Sequence, residues 1–440
     1  MTQKMEQKKI LIITYYWPPA GGPGVQRWLK FAKYLPDFGW KPVIYTPENP
    51  NYPLLDESLM KDIPGNIEIV RTKIWEPYQL AEKLNKSNKK FKAGQFDVGK
   101  NQSWKSRLSI WVRGNFFIPD ARVFWVKPSI RFLEKYLKEN KIDVVVTSGP
   151  PHSLHLIGLG LKNKLPGLKW IADFRDPWTE ISYYKHLKLT KGSDKKHRQL
   201  ESTVFKNADI TLATSYTDAE NFRKAGANAV CITNGFDESD AGEKAGRKDE
   251  AVSLKSHPEA FTLSYIGVLE QLRNPENLWK VLDEMVKENE EFAAQFKLKF
   301  AGRIDDKILS SIENSGLRDH ILNLGYLSHG KAVEEMRNSD MLLITNFPNE
   351  SSKGIIPGKI FEYLVSGKQI LSFGPDQADV AKILEETNAG KHFSYNDTES
   401  VKKFILEKFE LWKNGDLSEN TQHIEQFSRK NLTKQLSNIL

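Results

Sequence analysis

The sequence predicts an α/β protein built as two doubly wound parallel sheets in tandem. Short apolar runs alternate with helical periodicity along most of the chain, the pattern of strand–helix–strand units with buried parallel strands. At 440 residues the chain exceeds the roughly 250–300 residues at which a single core stops growing. Between the halves, residues 236–258 are rich in Asp, Glu, Lys, Gly and Ser and nearly free of apolar side chains, which predicts a linker.

The first half, residues 1–235, opens with an apolar run at 10–15, read as a buried strand. It enters Pro18-Pro19-Ala20-Gly21-Gly22-Pro23-Gly24 and then a helical pattern from Val25, with Gly39 ending it. A glycine-rich turn there exposes backbone N–H groups and admits a ligand, although its spacing is not G-x-G-x-x-G and a plain tight turn fits equally. Further strands are expected at 42–46, 67–71, 142–148, 169–172, 210–213 and 230–232. An insertion at about 75–120 mixes Lys83, Lys86, Lys89, Lys90, Lys92, Lys105, Arg107 and Arg113 with Trp104, Trp111, Phe116 and Phe117. That mixture suits an anionic membrane surface; a solvated insertion is the other open reading. Single-stranded nucleic acid ranks third, because no nucleic-acid module is recognised, and nucleic acid is not an expected partner.

The second half, 259–415, repeats the alternation with strands at 261–265, 297–301, 321–324, 341–345 and 369–373. After the apolar strand at 341–345 comes Gly354-Ile355-Ile356-Pro357-Gly358-Lys359-Ile360-Phe361-Glu362-Tyr363-Leu364. A loop with Gly and Pro leads into a helix carrying Lys359 and Glu362 one turn apart. The N–H groups and positive dipole end of such a helix suit a diphosphate, and Glu362 suits neutral hydroxyls such as those of a ribose. An ordinary strand–loop–helix unit accounts for the same residues. The tail, 416–440, is read as a closing amphipathic helix.

Charge divides along the same boundary: about +16 for residues 1–235 and about −8 for 236–440, within a net +8. Only the first half is therefore expected to face something anionic. One cysteine, Cys231, excludes an internal disulfide and fits a reducing compartment. The N-terminal apolar run is too short for a signal peptide, and no run is long enough to span a bilayer. A cytoplasmic protein is expected, peripheral at the inner membrane face if the insertion binds lipid. The scattered histidines have no zinc spacing, and neither a P-loop nor a G-x-S-x-G elbow is present; neither metal nor cofactor is expected.

Candidate site residues lie in loops that follow strands. Asp173, Arg175 and Asp176 crowd beside Pro177-Trp178, and such charges are costly unless paired. Arg175 bridging both carboxylates, or a ligand, would resolve this. His152, in Gly149-Pro150-Pro151-His152, is a titratable ring in a loop and equally a packing residue. In the second half Arg273 follows Gly267 at short distance and Arg303 follows Gly302. Each suits phosphate oxygens or a solvated surface.

Together these stretches resemble the GT-B glycosyltransferases, specifically retaining glycosyltransferase family 4. The resemblance rests on Pro18-Pro19-x-Gly21-Gly22, Asn234-Gly235-Phe236-Asp237, Pro357-Gly358-Lys359-Ile360-Phe361-Glu362-Tyr363, Leu371-Ser372-Phe373-Gly374 and the terminal helix. It implies two Rossmann-like domains facing across a cleft, the first taking the acceptor and the second a nucleotide-diphosphate sugar, with the C-terminal helix returning to the first. It implies metal-independent transfer with retention to a lipid-linked or surface-glycan acceptor. Glu362 matches the second glutamate of the family's Glu-x7-Glu signature, and Gly21 and Gly22 match the loop whose amides meet donor phosphate or acceptor. Arg273 falls at a phosphate-binding lysine, and Arg175-Asp176 where many members carry His-Asp. The first glutamate's place is Gly354 and a phosphate-binding arginine's is Val268, departures that leave sugar recognition and activity open. A nucleotide-sugar epimerase of the same architecture and a non-catalytic scaffold are the alternatives.

Overall fold

Strand β1 (Lys8–Thr14) lies at the middle of a seven-stranded sheet with β2 (Trp40–Pro47), β3 (Glu68–Thr72), β4 (Val144–Gly149), β5 (Lys169–Phe174), β6 (Ile210–Ala213) and β7 (Ala229–Cys231). The order is β3-β2-β1-β4-β5-β6-β7, every pair parallel, with Ile12 beside Ile44 on one side and Val146 on the other. The computed structural model describes residues 7–77, 104–181, 184–237, 260–417 and 421–440. The lysines at 83–92 and nearly all of the expected linker lie outside these.

Helices α1 (Pro23–Tyr34), α2 (Trp104–Phe116), α3 (Val123–Asn140), α4 (Ser153–Lys164), α5 (Lys191–Asn207) and α6 (Tyr216–Lys224) accompany the sheet. Ile10 to Ile13, Val145, Val146 and Ile171 are fully buried, as expected of parallel strands covered on both faces. Part of the expected insertion is thus regular helix, α2.

The second sheet runs β10 (Ile321–Gly325), β9 (Phe296–Ala301), β8 (Phe261–Ile266), β11 (Met341–Thr345), β12 (Gln369–Phe373), β13 (Gly390–Phe393), again all parallel. Its helices are α7 (Glu276–Glu288), α8 (Glu290–Gln295), α9 (Asp306–Glu313), α10 (His329–Arg337), α11 (Lys359–Ser366), α12 (Asp379–Thr387) and α13 (Glu399–Lys413). On α7 the buried Leu278, Leu282 and Met285 recur at helical spacing and face the core. Strand β13 is not among the expected strands, because Gly-Lys-His-Phe carries no strand pattern.

The chain divides into two compact units, residues 1–234 with 429–440, and 235–428. The tail is a short 3-10 turn, Ile424–Phe427, followed by α14 (Arg429–Ser437), not one continuous helix. Helix α14 buries Leu432 and Leu436 in the core that holds Val25, Trp28 and Leu29 of α1. In each sheet the strand order reverses once, between β1 and β4 and between β8 and β11. Loops leaving the C-terminal strand ends diverge there, which is where open α/β sheets bind ligands.

Candidate functional site

In the second unit the loop after β8 turns at Gly267, with φ +125°, a conformation favouring glycine. Gly302 after β9 has the same φ, and a Cβ on it would lie 2.1 Å from the Gly267 carbonyl oxygen. The two loops therefore run in backbone contact. Leu269 N–H donates to the Arg303 carbonyl (2.9 Å) and Asp305 N–H to the Leu269 carbonyl (3.0 Å).

Two cations close on this turn. Lys359, the first residue of α11, donates from Nζ to the Ile266 carbonyl at 2.7 Å. Its ammonium lies 4.2 Å from the centre of the Tyr265 ring. Arg273 donates from Nη2 to the Val268 carbonyl at 2.7 Å, while Glu270 stands 4.0 Å away. Both cations are thus anchored on carbonyls flanking Gly267, and the Arg273 Nε is buried with no hydrogen-bond partner among the described residues. Burial pulls the Lys359 ammonium down to about 7; Arg273 adds to the shift and Glu362 opposes it. A partly desolvated pair of like charges is stabilised by an arriving anion. Helix α11 starts beside it at Gly358 with no side-chain cap, so its dipole end favours the same guest.

Glu362 is half-buried one turn along α11. Arg303 is exposed, its carbonyl engaged by Leu269 as above. Sequence reasoning missed the residues that hold these loops. Asn346, at the end of β11, donates from Nδ2 to the Ile355 carbonyl (2.8 Å). The Tyr395 hydroxyl reaches the Asn346 carbonyl (2.5 Å) and the Arg273 carbonyl (3.2 Å).

In the first unit the charges sort differently from expectation. Arg175 does not bridge Asp173 and Asp176. Asp173 is fully buried and pairs with Arg27 of α1: Nε donates to Oδ1 at 3.1 Å and Nη2 lies 3.0 Å from it. Trp28 Nε1 (2.7 Å) and Ser148 Oγ (2.9 Å) donate to Asp173 Oδ2. Such a pair carries desolvation cost and holds only while its hydrogen bonds are complete. Arg175 instead donates to the Gly149 carbonyl (3.3 Å) and to that of Pro150. Its guanidinium lies over Tyr16 at 5.7 Å and so close to Gly24 that a Cβ there would stand 1.9 Å from Nη1. Asp176 is exposed; desolvation by the dense surroundings raises its carboxyl pKa, against the opposing charge of Arg175 and with help from Asp173.

His152 is buried and stacks on Trp178, centroids 5.0 Å apart and ring planes nearly parallel. Neither ring nitrogen has a partner among the described residues. Burial, then the nearby His155, Arg175 and His197, hold its pKa well below the usual range. His155 lies on Phe174 at 4.2 Å, and burial lowers it to about 3. Both rings are neutral at physiological pH. The Gly21 N–H, expected to meet a ligand, is taken by the Leu54 carbonyl (2.9 Å). Gly22, at φ +97°, adjoins open space.

Two side chains on α5, one turn apart, hold the loop carrying Asp176. Glu201 Oε1 accepts from Trp178 N–H (3.2 Å) and Thr179 N–H (3.1 Å), and Oε2 from Thr179 Oγ1 (2.5 Å). His197 Nδ1 accepts from Trp178 Nε1 (3.0 Å). An indole N–H only donates, so the His197 proton is on Nε2, facing the Gly114 carbonyl at 3.4 Å. Asp120 likewise holds the loop of His152, accepting from Ser153 N–H (2.8 Å) and Oγ (2.9 Å).

No protein-family model matches the chain. It is similar to the probable glycosyltransferase WbjE of Pseudomonas aeruginosa, 23% identical over 275 residues, which is 61% of this chain and 66% of that relative, just under two thirds of its length. Among solved structures, HepE of Anabaena in complex with UDP superposes with TM-score 0.58 and 12% identity over 98% of this chain and 99% of its own. Sucrose-phosphate synthase of Thermosynechococcus elongatus matches with TM-score 0.55 and 12% identity over 98% of each chain. Two parallel sheets, of seven and six strands, and agreement over nearly the full length of these structures make the fold GT-B, an architecture of two Rossmann-like domains.

Proposed function

We propose that this chain is a glycosyltransferase that moves a sugar from a nucleotide-diphosphate donor to a lipid-linked or surface-glycan acceptor, with retention and without a metal. The observation that carries the reading is the pair of cations, Lys359 and Arg273, anchored on the carbonyls either side of Gly267 at the strand-order reversal of the second unit. HepE, similar in fold, binds UDP and UDP-glucose. In this reading Lys359, Arg273 and the start of α11 at Gly358 grip the diphosphate and stabilise charge on the leaving group. Lys359 supplies the second cation where the family resemblance leaves Val268. Glu362 accepts hydrogen bonds from ribose hydroxyls, Gly267 lets the diphosphate approach the backbone, and Arg303 is an outer contact.

On the first unit, Asp176 and Gly22 are the proposed contacts to sugar or acceptor. Asp173, Arg175, His152 and Gly21 shape the loops that present them. Charge-assisted hydrogen bonds contribute about 1.5–3 kcal/mol each, so losing Lys359 or Arg273 should weaken donor binding by about 10- to 100-fold.

Calorimetry across nucleotide-diphosphate sugars tests this. One of them should bind, Lys359→Ala and Arg273→Ala should each weaken it, and turnover should require acceptor and survive EDTA. Donor conversion without acceptor would favour an epimerase. No donor binding at all would favour a non-catalytic scaffold.

A further inference from the structure

We propose that the first unit docks on an anionic lipid surface through a band of exposed aromatic residues rimmed by basic side chains. Trp75, in the segment after β3, meets Phe124 at the start of α3 edge to face, centroids 4.7 Å apart. Phe117 packs on Phe124 at 5.9 Å, and its neighbour Phe116 packs on Trp111 of α2 at 5.6 Å. The rings fall in two contacting groups, Trp75 with Phe124 and Phe117, and Phe116 with Trp111, which meet at the adjacent residues Phe116 and Phe117. They remain open to solvent: Phe116 is 68% exposed, Trp75 48%, Phe124 44% and Trp111 36%. Single exposed apolar residues need no explanation, but a connected patch marks an interaction surface.

The rim decides the partner. Lys127 and Arg131 follow Phe124 at one and two turns on α3 and are exposed. The Asn115 side chain donates to the Lys188 carbonyl (3.3 Å), which brings the exposed Lys185, Lys188 and Lys191 beside the end of α2. Tryptophan and phenylalanine settle at the headgroup boundary while lysine and arginine meet anionic headgroups. Two copies joined face to face would set these like-charged rims against each other, which disfavours a dimer. This inference does not rest on the transferase reading, because lipid binding needs neither donor nor turnover.

The test is co-sedimentation of the full chain with vesicles of phosphatidylcholine alone or with about 30% phosphatidylglycerol. Binding is expected only to the anionic vesicles, weakening at high salt and accompanied by a blue shift of tryptophan emission. Phe116→Ser with Trp111→Ser should reduce binding about tenfold or more. Lys127→Glu with Arg131→Glu should reduce it and flatten its salt dependence. Thermal melts of these surface variants should match the parent. Equal binding to neutral vesicles, unchanged binding by the aromatic variants, or a concentration-dependent dimer that they abolish would each overturn the assignment.

Discussion

The strand-order reversals of the two units use the same scaffold and deploy charge in opposite ways. In the first unit the central cation, Arg27, faces a carboxylate, Asp173, with both side chains fully buried. In the second unit Lys359 and Arg273 are held by carbonyls, partners that orient a cation without neutralising it. A guanidinium matched to a carboxylate is structure; cations poised on dipoles remain able to take an anion. The topology is shared, so the difference between a sealed end and a receptive one lies in a few side chains.

Removing the sealed pair should produce the largest effect on folding. Asp173→Ala leaves Arg27 buried without its partner and should cost about 3–5 kcal/mol, read from urea unfolding. The opposite unit should respond in the opposite way. Lys359→Met should leave stability unchanged or higher while lowering donor affinity about 10- to 100-fold; a stability loss matching that of Asp173→Ala would break the comparison.

Proton linkage sharpens it. The Lys359 pKa is about 7 when folded and 10.5 in the unfolded chain, so the unfolded state binds the extra proton between those values. Stability should therefore rise with pH across that window, and the Met variant should lose this rise. Affinity for a nucleotide-diphosphate sugar should run the other way: full below pH 7, weakening above it by at most about tenfold per pH unit. Calorimetry between pH 6 and 9 reads this directly.

Smaller effects are expected at the loop supports. Glu201→Gln keeps the shape but loses a charge-assisted acceptor for Trp178 and Thr179. Turnover should fall about three- to tenfold through misplacement of the Asp176 loop, with donor affinity unchanged in calorimetry. Arg303→Ala, at an exposed position, should alter donor affinity less than about threefold; a larger loss would extend the receptive site outward along β9.

Much of this arrangement is legible in the residues. Among the described residues, twelve of the thirteen strands coincide with the expected runs, and the central ones, β1, β4 and β11, carry the buried apolar stretches that cover on both faces demands. Lys359 is legible because Pro-Gly before a helix is a local signal, and Arg273 because it follows a glycine at a strand end. Arg27 is not: it lies 146 positions from Asp173 on a helix whose apolar pattern explains itself without it. Glu201 and His197 read as ordinary polar residues of α5, and their grip on Trp178 and Thr179 follows only once β5 and α5 are packed together.

Local pattern thus determined where strands, glycine turns and helix starts fall, because backbone geometry is governed by neighbours a few residues apart. Tertiary packing alone decided which charges neutralise each other and which remain available, because that depends on burial and on reach across strand order. Sequence separation carries no information about either.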